Sequence, residues 1–460
     1  MPSALATIPF VVFLAGIAFV PLPFGSYDRT ISTFWCALFA FTAAGLAMVP
    51  QRLLRIHVLA MAGIVFVALA YAVVLHEQLA EHPWIARPNP VWSRASAVLG
   101  DEIKPSVSVI RGEPLFALGP ALACMLALIC GMLAAIEREN ARRLLQVIAW
   151  SGVAYAIYGI LSLFFEPTML LWREKRAYVG NVTGTFVNRN TAAAYFGSCA
   201  VVWLAFSCEK MRRHLRAEKI VWKQVPSRLL TATPRALIVA FAMFFICLVA
   251  MFLTGSRAGA ILSLGAMILT FTVFFRRDLP ARSGIWAAMA GGLLAALIAL
   301  QLIGGGVTSR FDVQGLDGES RLQLYKATVR MIADNPWFGT GLGTFGAAFT
   351  SYRSPEISMR GILDIAHSTP LEIAAEGGLP LAVIVCLGWL AIMGVLAYGA
   401  WTRRRDALVP LVALAVAALA GLHSCIDFSL QIPGYAIVVF ALLGAGISQS
   451  FGSRADGHSR

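Results

Sequence analysis

The sequence has few charged residues for its length, and this scarcity limits the classes of protein that it can form. Only 13% of its 460 residues are charged, whereas 58% are hydrophobic. Ordinary soluble domains carry about 25% charged residues. A soluble globule cannot bury so much apolar surface, so the composition argues against a soluble enzyme, a disordered protein and a nucleic-acid-binding domain. A lipid bilayer is the solvent that fits this composition.

The sequence also lacks the motifs of disulfide-rich and metal-binding proteins. Its eight cysteines lie in or beside apolar runs, and none forms a Cys-x-x-Cys pair. We interpret them as packing residues in helices and expect neither a disulfide framework nor a zinc site. The segment 341–346 matches a dinucleotide fingerprint, but it lacks the strand and helix context that this fingerprint requires. We therefore read it as a glycine-rich turn.

Long apolar runs are abundant, and they predict an all-α polytopic membrane protein. A spanning helix needs about 20 mostly apolar residues. About twelve such runs are present, at 7–23, 31–49, 56–76, 114–136, 144–165, 190–208, 236–254, 258–275, 284–303, 371–400, 407–424 and 433–450. We expect an integral membrane domain over residues 1–450 and a disordered cytoplasmic tail over 451–460.

The distribution of charge predicts the orientation in the membrane. The net charge is +13, and the excess of Lys and Arg lies in one set of loops, which includes the cluster from Lys210 to Arg235. By the positive-inside rule these loops and both termini are cytoplasmic. The positive charge is then explained without a nucleic-acid partner. The loops at 77–113, 166–189 and 304–370 fall on the opposite, periplasmic side.

The loop 304–370, between the ninth and tenth spans, contains a predicted amphipathic helix from Arg321 to Ala333. Such a helix would lie on the membrane surface or cover a cavity. Lys326 and Arg330 are four residues apart, so they share one face of this helix. They are candidates for binding a lipid phosphate or a glycan, and a solvated basic face is the alternative.

An arginine at a predicted helix hairpin is the first candidate for chemistry. The apolar stretch 236–275 would be about 60 Å long as one helix, about twice the hydrocarbon thickness. It must turn back, and the turn chemistry lies between Thr254 and Gly259. Arg257 at this tip has the fork of donors that suits phosphate oxygens. The alternative is an interfacial arginine that snorkels to lipid headgroups.

Two further candidates lie on the same predicted side. Arg189 stands at the start of a span, where free backbone N–H groups favour an anion, and Asn188 and Asn190 flank it with hydrogen-bonding side chains. His367 precedes another span and is suited to proton transfer near neutral pH. Asp364 would orient His367 if the segment were helical, and we also count Asp364, Asn188 and Asn190 as candidates for substrate binding. A polar helix start and an interfacial loop histidine are the alternatives.

Three segments together resemble the O-antigen ligase/polymerase family. They are the tip from Thr254 to Gly259, the loop from Asp334 to Phe345, and the motif His-Ser-x-x-Leu-x6-Gly formed by His367, Leu371 and Gly378. The family pattern of the histidine motif is matched at each fixed position. Each segment alone is weakly specific, and the combination is what carries the resemblance.

The resemblance covers roughly residues 180–380 by motif and the whole chain by its helix plan. The run Phe186–Asn190 looks like the form common among exopolysaccharide polymerases of the family. Ser368 stands where ligases of the family often have Asn. This departure leaves the choice between polymerase and ligase open.

The resemblance implies a metal-independent, inverting glycosyltransferase with a GT-C-like fold in the bacterial inner membrane, without a cofactor. Such enzymes take a glycan from undecaprenyl pyrophosphate to another lipid-linked repeat (polymerase) or to the lipid A core (ligase). Arg189 and Arg257 would bind the pyrophosphate and stabilise it as a leaving group. His367 would be the general base, and the loop 304–370 would form a lid over donor and acceptor.

We therefore expect a repeat-unit polymerase of a surface polysaccharide or O-antigen, with an O-antigen ligase as the alternative. A lipid-glycan flippase or transporter also fits the number of spans, but it favours charges at mid-membrane. Here the polar candidates gather near one predicted face. A non-catalytic scaffold is the third hypothesis, and it predicts no cavity at that face.

Overall fold

The part of the chain that the structure describes is mostly helical. The computed structural model describes residues 4–215, 233–279, 318–355, 357, 363–403 and 407–451. The first half contains α1 (Ala4–Phe19), α2 (Arg29–Ala47), α3 (Arg55–Leu79), α4 (Val91–Leu99), α5 (Glu113–Ala134), α6 (Arg138–Phe165) and the antiparallel strands β1 (Met169–Leu170) and β2 (Arg173–Glu174). The second half contains α7 (Arg189–Leu215), α8 (Arg235–Leu253), α9 (Arg257–Phe274), α10 (Gly318–Asp334), α11 (Phe345–Phe349), α12 (Thr369–Gly377), α13 (Leu379–Thr402), α14 (Leu408–Ser424) and α15 (Pro433–Ser450).

Most of the predicted spans coincide with apolar helices. Among the described residues, nine helices are long and apolar enough to cross a membrane: α2, α3, α5, α6, α7, α8, α9, α13 and α15. Shorter apolar helices lie at Thr7–Phe19 and in α14. The all-α polytopic architecture is thereby confirmed. The predicted run at 284–303 and residues 452–460 of the predicted tail lie outside the described residues, so the total of about twelve spans, the GT-C-like plan and the domain bounds stay predictions.

The run predicted as one span at 371–400 is two helices, so that prediction was wrong. Helix α12 ends at Gly377 and α13 begins at Leu379. Gly378 between them has φ +88°, and a Cβ there would collide with the carbonyl oxygen of Trp337. A side chain would be strained and would clash, so the break requires glycine. Hydropathy does not reveal it, because the break depends on a loop packed from elsewhere in the chain.

Helices α7 and α15 form the centre of the structure. In each, 94% of the most apolar 18-residue window is buried, whereas the corresponding value for α3 is 6%. Small residues line α7 from Ala192 to Ala194 and again at Gly197, and all of them are buried. Small side chains let helices approach closely in apolar surroundings. Arg189 is the first residue of this buried helix and so lies at one of its ends.

The candidate residues share one end of the helices, which we call the site end. Here the backbone N–H of Val182 donates to the carbonyl oxygen of Leu253, at 3.0 Å, and this bond joins the segment before α7 to the end of α8. The opposite end carries basic side chains, such as Arg142, which pairs with Glu209 at 2.5 Å. This separation agrees with the predicted orientation, and the assignment of the two ends to periplasm and cytoplasm stays a prediction.

Replacing Gly378 by alanine is expected to destabilise the protein by about 1–3 kcal/mol or more, because the added Cβ meets a backbone carbonyl in a left-handed conformation. Thermal unfolding of purified protein in detergent, compared at one heating rate, measures the effect. Gly394→Ala is the matched control, since it lies in α13 and a Cβ added there would have nothing within 4 Å. Equal unfolding temperatures for the two variants would contradict the account of the break.

Candidate functional site

The turn predicted between α8 and α9 is present and is built from its own polar residues. The Thr254 hydroxyl accepts a hydrogen bond from the backbone N–H of Ser256 at 3.2 Å. The Ser256 hydroxyl accepts from the backbone N–H of Gly259 at 3.2 Å and so caps α9. Arg257 is the first residue of α9, and its side chain is exposed at the site end.

Arg189 lies against this turn. A Cβ on Gly255 would stand 2.8 Å from the Asn181 amide nitrogen and 3.7 Å from Nη1 of Arg189. Gly255, with φ +68°, thus allows the Arg189 guanidinium to approach the backbone two residues before Arg257. The guanidinium also lies over the Tyr178 ring, 5.1 Å from its centroid, in a cation–π contact. The two predicted arginines therefore belong to one local structure.

The two asparagines that flank Arg189 hold the start of α7. Asn188 Oδ1 accepts from the backbone N–H groups of Asn190, at 2.6 Å, and of Thr191, at 3.3 Å. Asn190 Nδ2 donates to the carboxylate of Asp427 at 2.6 Å. Both side chains thus make contacts within the protein. The prediction that they bind substrate stays a prediction.

Asp427 connects Arg189 to His367. It lies in the link between α14 and α15, its exposure is 2%, and its second oxygen accepts from the backbone N–H of Phe428 at 2.8 Å. The Phe428 ring packs edge-on against the His367 imidazole, with 5.2 Å between ring centroids. The chain from Arg189 through Asn190 and Asp427 to His367 shows that the site end brings together segments far apart in sequence.

His367 is held in an unusual backbone conformation. Its φ is +53°, in the left-handed region that side chains other than glycine rarely adopt. Its carbonyl oxygen accepts from the Tyr325 hydroxyl at 3.0 Å, and the backbone N–H of the preceding Ala366 donates to the Glu372 carboxylate at 2.7 Å. Strain of this kind costs about 1–3 kcal/mol and persists where surrounding contacts enforce it, often at functional sites.

The surroundings of His367 favour the neutral form of its imidazole. Burial lowers its pKa below the ordinary 6.5, and the Arg321 guanidinium lowers it further, while the carboxylates of Asp427 and Asp364 raise it. Its Nδ1 is buried and has no hydrogen-bond partner among the described residues. A neutral imidazole is able to accept a proton.

Asp364 does not share a helix with His367, whereas Lys326 and Arg330 share an exposed face of α10. Residues 363–366 are not helical, so the condition under which Asp364 would orient His367 is not met. Asp364 is exposed, and its charge raises the pKa of His367. Lys326 and Arg330 are both exposed on α10. Their predicted binding role stays a prediction, and the described contacts do not bring either of them to His367.

Asp427, Arg321 and Tyr325 belong to the site end and were not predicted from the sequence. Arg321 and Tyr325 are one turn apart on α10, so they share the face that meets His367. Asp427 is a single carboxylate in the short link between two apolar runs. An isolated acid in such a place is a signal that could have drawn attention to it.

A large cavity opens beside these residues. Its volume is about 2320 Å³, and apolar side chains of α3, α5, α13 and α15 line most of it. On α3 the lining extends from Tyr71 to Ile56, a distance of about 22 Å along the helix. At the site end the lining becomes polar and includes Lys175, Asp364 and Glu372. The cavity therefore joins a long apolar space to the vicinity of His367.

Metal ligands were not expected from the sequence. Within the described ranges, no group of three or more His, Cys, Asp or Glu side chains is arranged to hold a metal ion. The prediction of metal-independent chemistry stays a prediction.

Comparison with known proteins relates part of the chain to a protein family. No curated protein sequence matches the chain. Residues 242–386 match the family model of the O-antigen ligases. The matched region contains Arg257, His367 and Gly378, whereas Arg189 and Asp427 lie outside it. The resemblance predicted from the motifs is thereby confirmed: over residues 242–386 the chain is similar to the O-antigen ligase family.

Proposed function

We propose that the protein is a membrane glycosyltransferase that moves a glycan from undecaprenyl pyrophosphate to a sugar hydroxyl at the periplasmic face. The observation that carries this proposal is that Arg189, the Arg257 tip and His367 lie at the same end of the helices, beside an apolar cavity that Asp364 and Thr369 line close to His367. The family match at 242–386 supports a ligase- or polymerase-like membrane enzyme. The donor, the acceptor and the roles of the residues belong to the proposal.

The donor has an apolar chain, a diphosphate and a sugar, and the site end offers a place for each. The cavity, of about 2320 Å³, has the apolar lining that a polyprenyl chain requires. Arg189 and Arg257 supply guanidinium groups, which match phosphate oxygens with paired hydrogen bonds. Arg189 is partly buried, which strengthens its interactions relative to water, whereas Arg257 is exposed. The sugar would then lie next to His367.

The reaction follows from this placement. The acceptor hydroxyl oxygen attacks the anomeric carbon of the donor sugar, and a new carbon–oxygen bond forms. The bond from that carbon to the phosphate oxygen breaks, and its electron pair stays on the diphosphate. The hydroxyl proton goes to the neutral imidazole of His367. Attack from the face opposite the leaving group inverts the anomeric centre, and the arginines stabilise the charge that develops on the diphosphate.

Asp427 and Tyr325 are positioning residues in this proposal, because they act through His367. The carboxylate of Asp427 raises the pKa of His367 against the effect of burial. The Tyr325 hydroxyl holds the His367 carbonyl at 3.0 Å. Together these contacts would keep the imidazole basic and fix its orientation toward the incoming hydroxyl.

We propose a repeat-unit polymerase first, on the resemblance of the run Phe186–Asn190, and an O-antigen ligase second. The two differ in the acceptor. Purified enzyme given only lipid-linked repeats should lengthen the glycan if it is a polymerase. Transfer that requires lipid A core would favour the ligase. Transport without glycan transfer would support a flippase.

Single replacement of Arg189, Arg257 or His367 by alanine is expected to abolish most glycan transfer in detergent, with losses on the order of 10²–10⁴-fold. Removing an arginine takes away charge stabilisation of the leaving diphosphate, and removing His367 takes away the proton acceptor. Product formation from purified lipid-linked glycan, in the absence of any ion gradient, is the measurement.

Arg143→Ala serves as the control for loss of a cation, because Arg143 is exposed and pairs only with Glu139 on its own helix in the described contacts. This variant should keep wild-type transfer. Full transfer by the Arg257 or His367 variant would contradict the role assigned to that residue. Folding of every variant is checked by its thermal unfolding.

The pH dependence of transfer should move in opposite directions in two variants. A general base works when neutral, so activity falls as the pH drops through the pKa of His367. That pKa is lowered by burial and by Arg321, and it is raised by Asp427. Asp427→Asn should therefore shift the acidic limb to lower pH, and Arg321→Gln should shift it to higher pH. Rate profiles between about pH 4 and 9 measure this.

Identical acidic limbs in the wild type and both variants would contradict the assignment of His367 as the titrating base. A shift of both variants in the same direction would contradict the electrostatic account.

A further inference from the structure

Lys175 is a cation at the site end that the proposed mechanism does not yet use. It follows β2, is half-buried, and its Nζ donates to the backbone carbonyl of Asn181 at 3.1 Å. Among the described residues no carboxylate forms an ion pair with it, and burial lowers the pKa of its ammonium group. A bound anion would stabilise the charged form of such a lysine.

Asn181 places Lys175 close to Arg189. The Asn181 side-chain amide and Nη1 of Arg189 lie 2.8 Å and 3.7 Å from the same point, the position that a Cβ on Gly255 would take. The backbone N–H of Asn181 donates to the carbonyl of Tyr178 at 3.1 Å, and the Tyr178 ring lies under the Arg189 guanidinium. Asn181 therefore lies between two cations: its backbone carbonyl accepts from Lys175, and its side-chain amide lies near Arg189.

Lys175 and Arg189 differ in whether they line the cavity. Lys175 lines the cavity wall, as do Ala177, Thr183 and Val187, whereas Arg189 does not. Lys175 thus stands between the apolar space and Arg189. A lipid whose chain fills the cavity would bring its first polar group to Lys175 before any group farther from the chain reaches Arg189.

We propose that Lys175 binds the phosphate attached to the lipid chain, while Arg189 contacts the phosphate that carries the sugar. This inference rests on the proposed function and adds a second anion subsite to it. The lipid-side phosphate carries the same charge before and during the reaction, since the bond to the sugar breaks at the other phosphate. Lys175 therefore contributes to binding equally in the ground state and the transition state, and it acts on KM more than on kcat.

The test compares two probes, undecaprenyl pyrophosphate and undecaprenyl monophosphate, for binding to the purified full-length protein in detergent. The wild type should prefer the diphosphate. Lys175→Met removes the charge at similar length. It should weaken binding of both probes by about tenfold or more, because both carry the phosphate attached to the lipid chain, and it should leave the preference for the diphosphate largely unchanged. Lys175→Arg, which keeps the charge, should retain most of the affinity.

Lys104→Met is the matched control, because Lys104 is an exposed lysine that pairs with Glu81 and does not line the cavity. It should bind both probes as the wild type does. In the transfer assay, Lys175→Met should raise KM for the lipid-linked donor about tenfold and leave kcat within about twofold of the wild type.

The outcomes distinguish a failure of the proposed function from a failure of the Lys175 subsite. A wild type that binds neither probe and transfers no glycan would overturn the proposed function itself. A wild type that binds the diphosphate, together with a folded Lys175→Met variant that binds it equally well, would overturn only the subsite. A fall in kcat at unchanged KM would also overturn it, since that result places Lys175 at the reacting phosphate.

Discussion

The hydrogen bond between the Asn190 amide and the Asp427 carboxylate is the contact on which the site end depends. It is 2.6 Å long and joins residues 237 positions apart. Asn190 lies in the first turn of the central helix α7. Asp427 lies in the link between α14 and α15, beside His367. A carboxylate with 2% exposure is costly without partners. The amide of Asn190 and the backbone N–H of Phe428 satisfy it, so these segments hold their relative positions.

The same carboxylate sets the balance of charge around the imidazole. Burial and Arg321 both lower the pKa of His367, and without an opposing charge the ring would be a weak base. Asp427 opposes them without a direct hydrogen bond in the described contacts, since Nδ1 of His367 has no partner there. The pKa of the imidazole is therefore set by charges that make no direct hydrogen bond to its Nδ1 in the described contacts.

The fold was largely predictable from the sequence, because hydropathy is a local signal and the bilayer sets the length of each span. The turn at Thr254–Gly259 was predictable for the same reason, since a stretch too long for one crossing must fold back. The break at Gly378 and the roles of Asp427 and Arg321 were not predictable. Each depends on a contact with a segment that is distant in sequence, such as the contact of the Trp337 carbonyl with Gly378. The spacing of residues within one segment does not indicate such contacts.

The face of α10 that meets the site illustrates this limit. Four-residue spacing drew attention to Lys326 and Arg330, but the buried residues Leu324, Ala327 and Met331 turn that face outward. The face with Arg321 and Tyr325 turns to His367 instead, and the Tyr325 hydroxyl bonds to the carbonyl of a residue in left-handed conformation. The docking of α10 and the orientation of the imidazole are thereby coupled through one hydrogen bond. If the loop 304–370 acts as the predicted lid, its movement would change the geometry of the base as well as access to it.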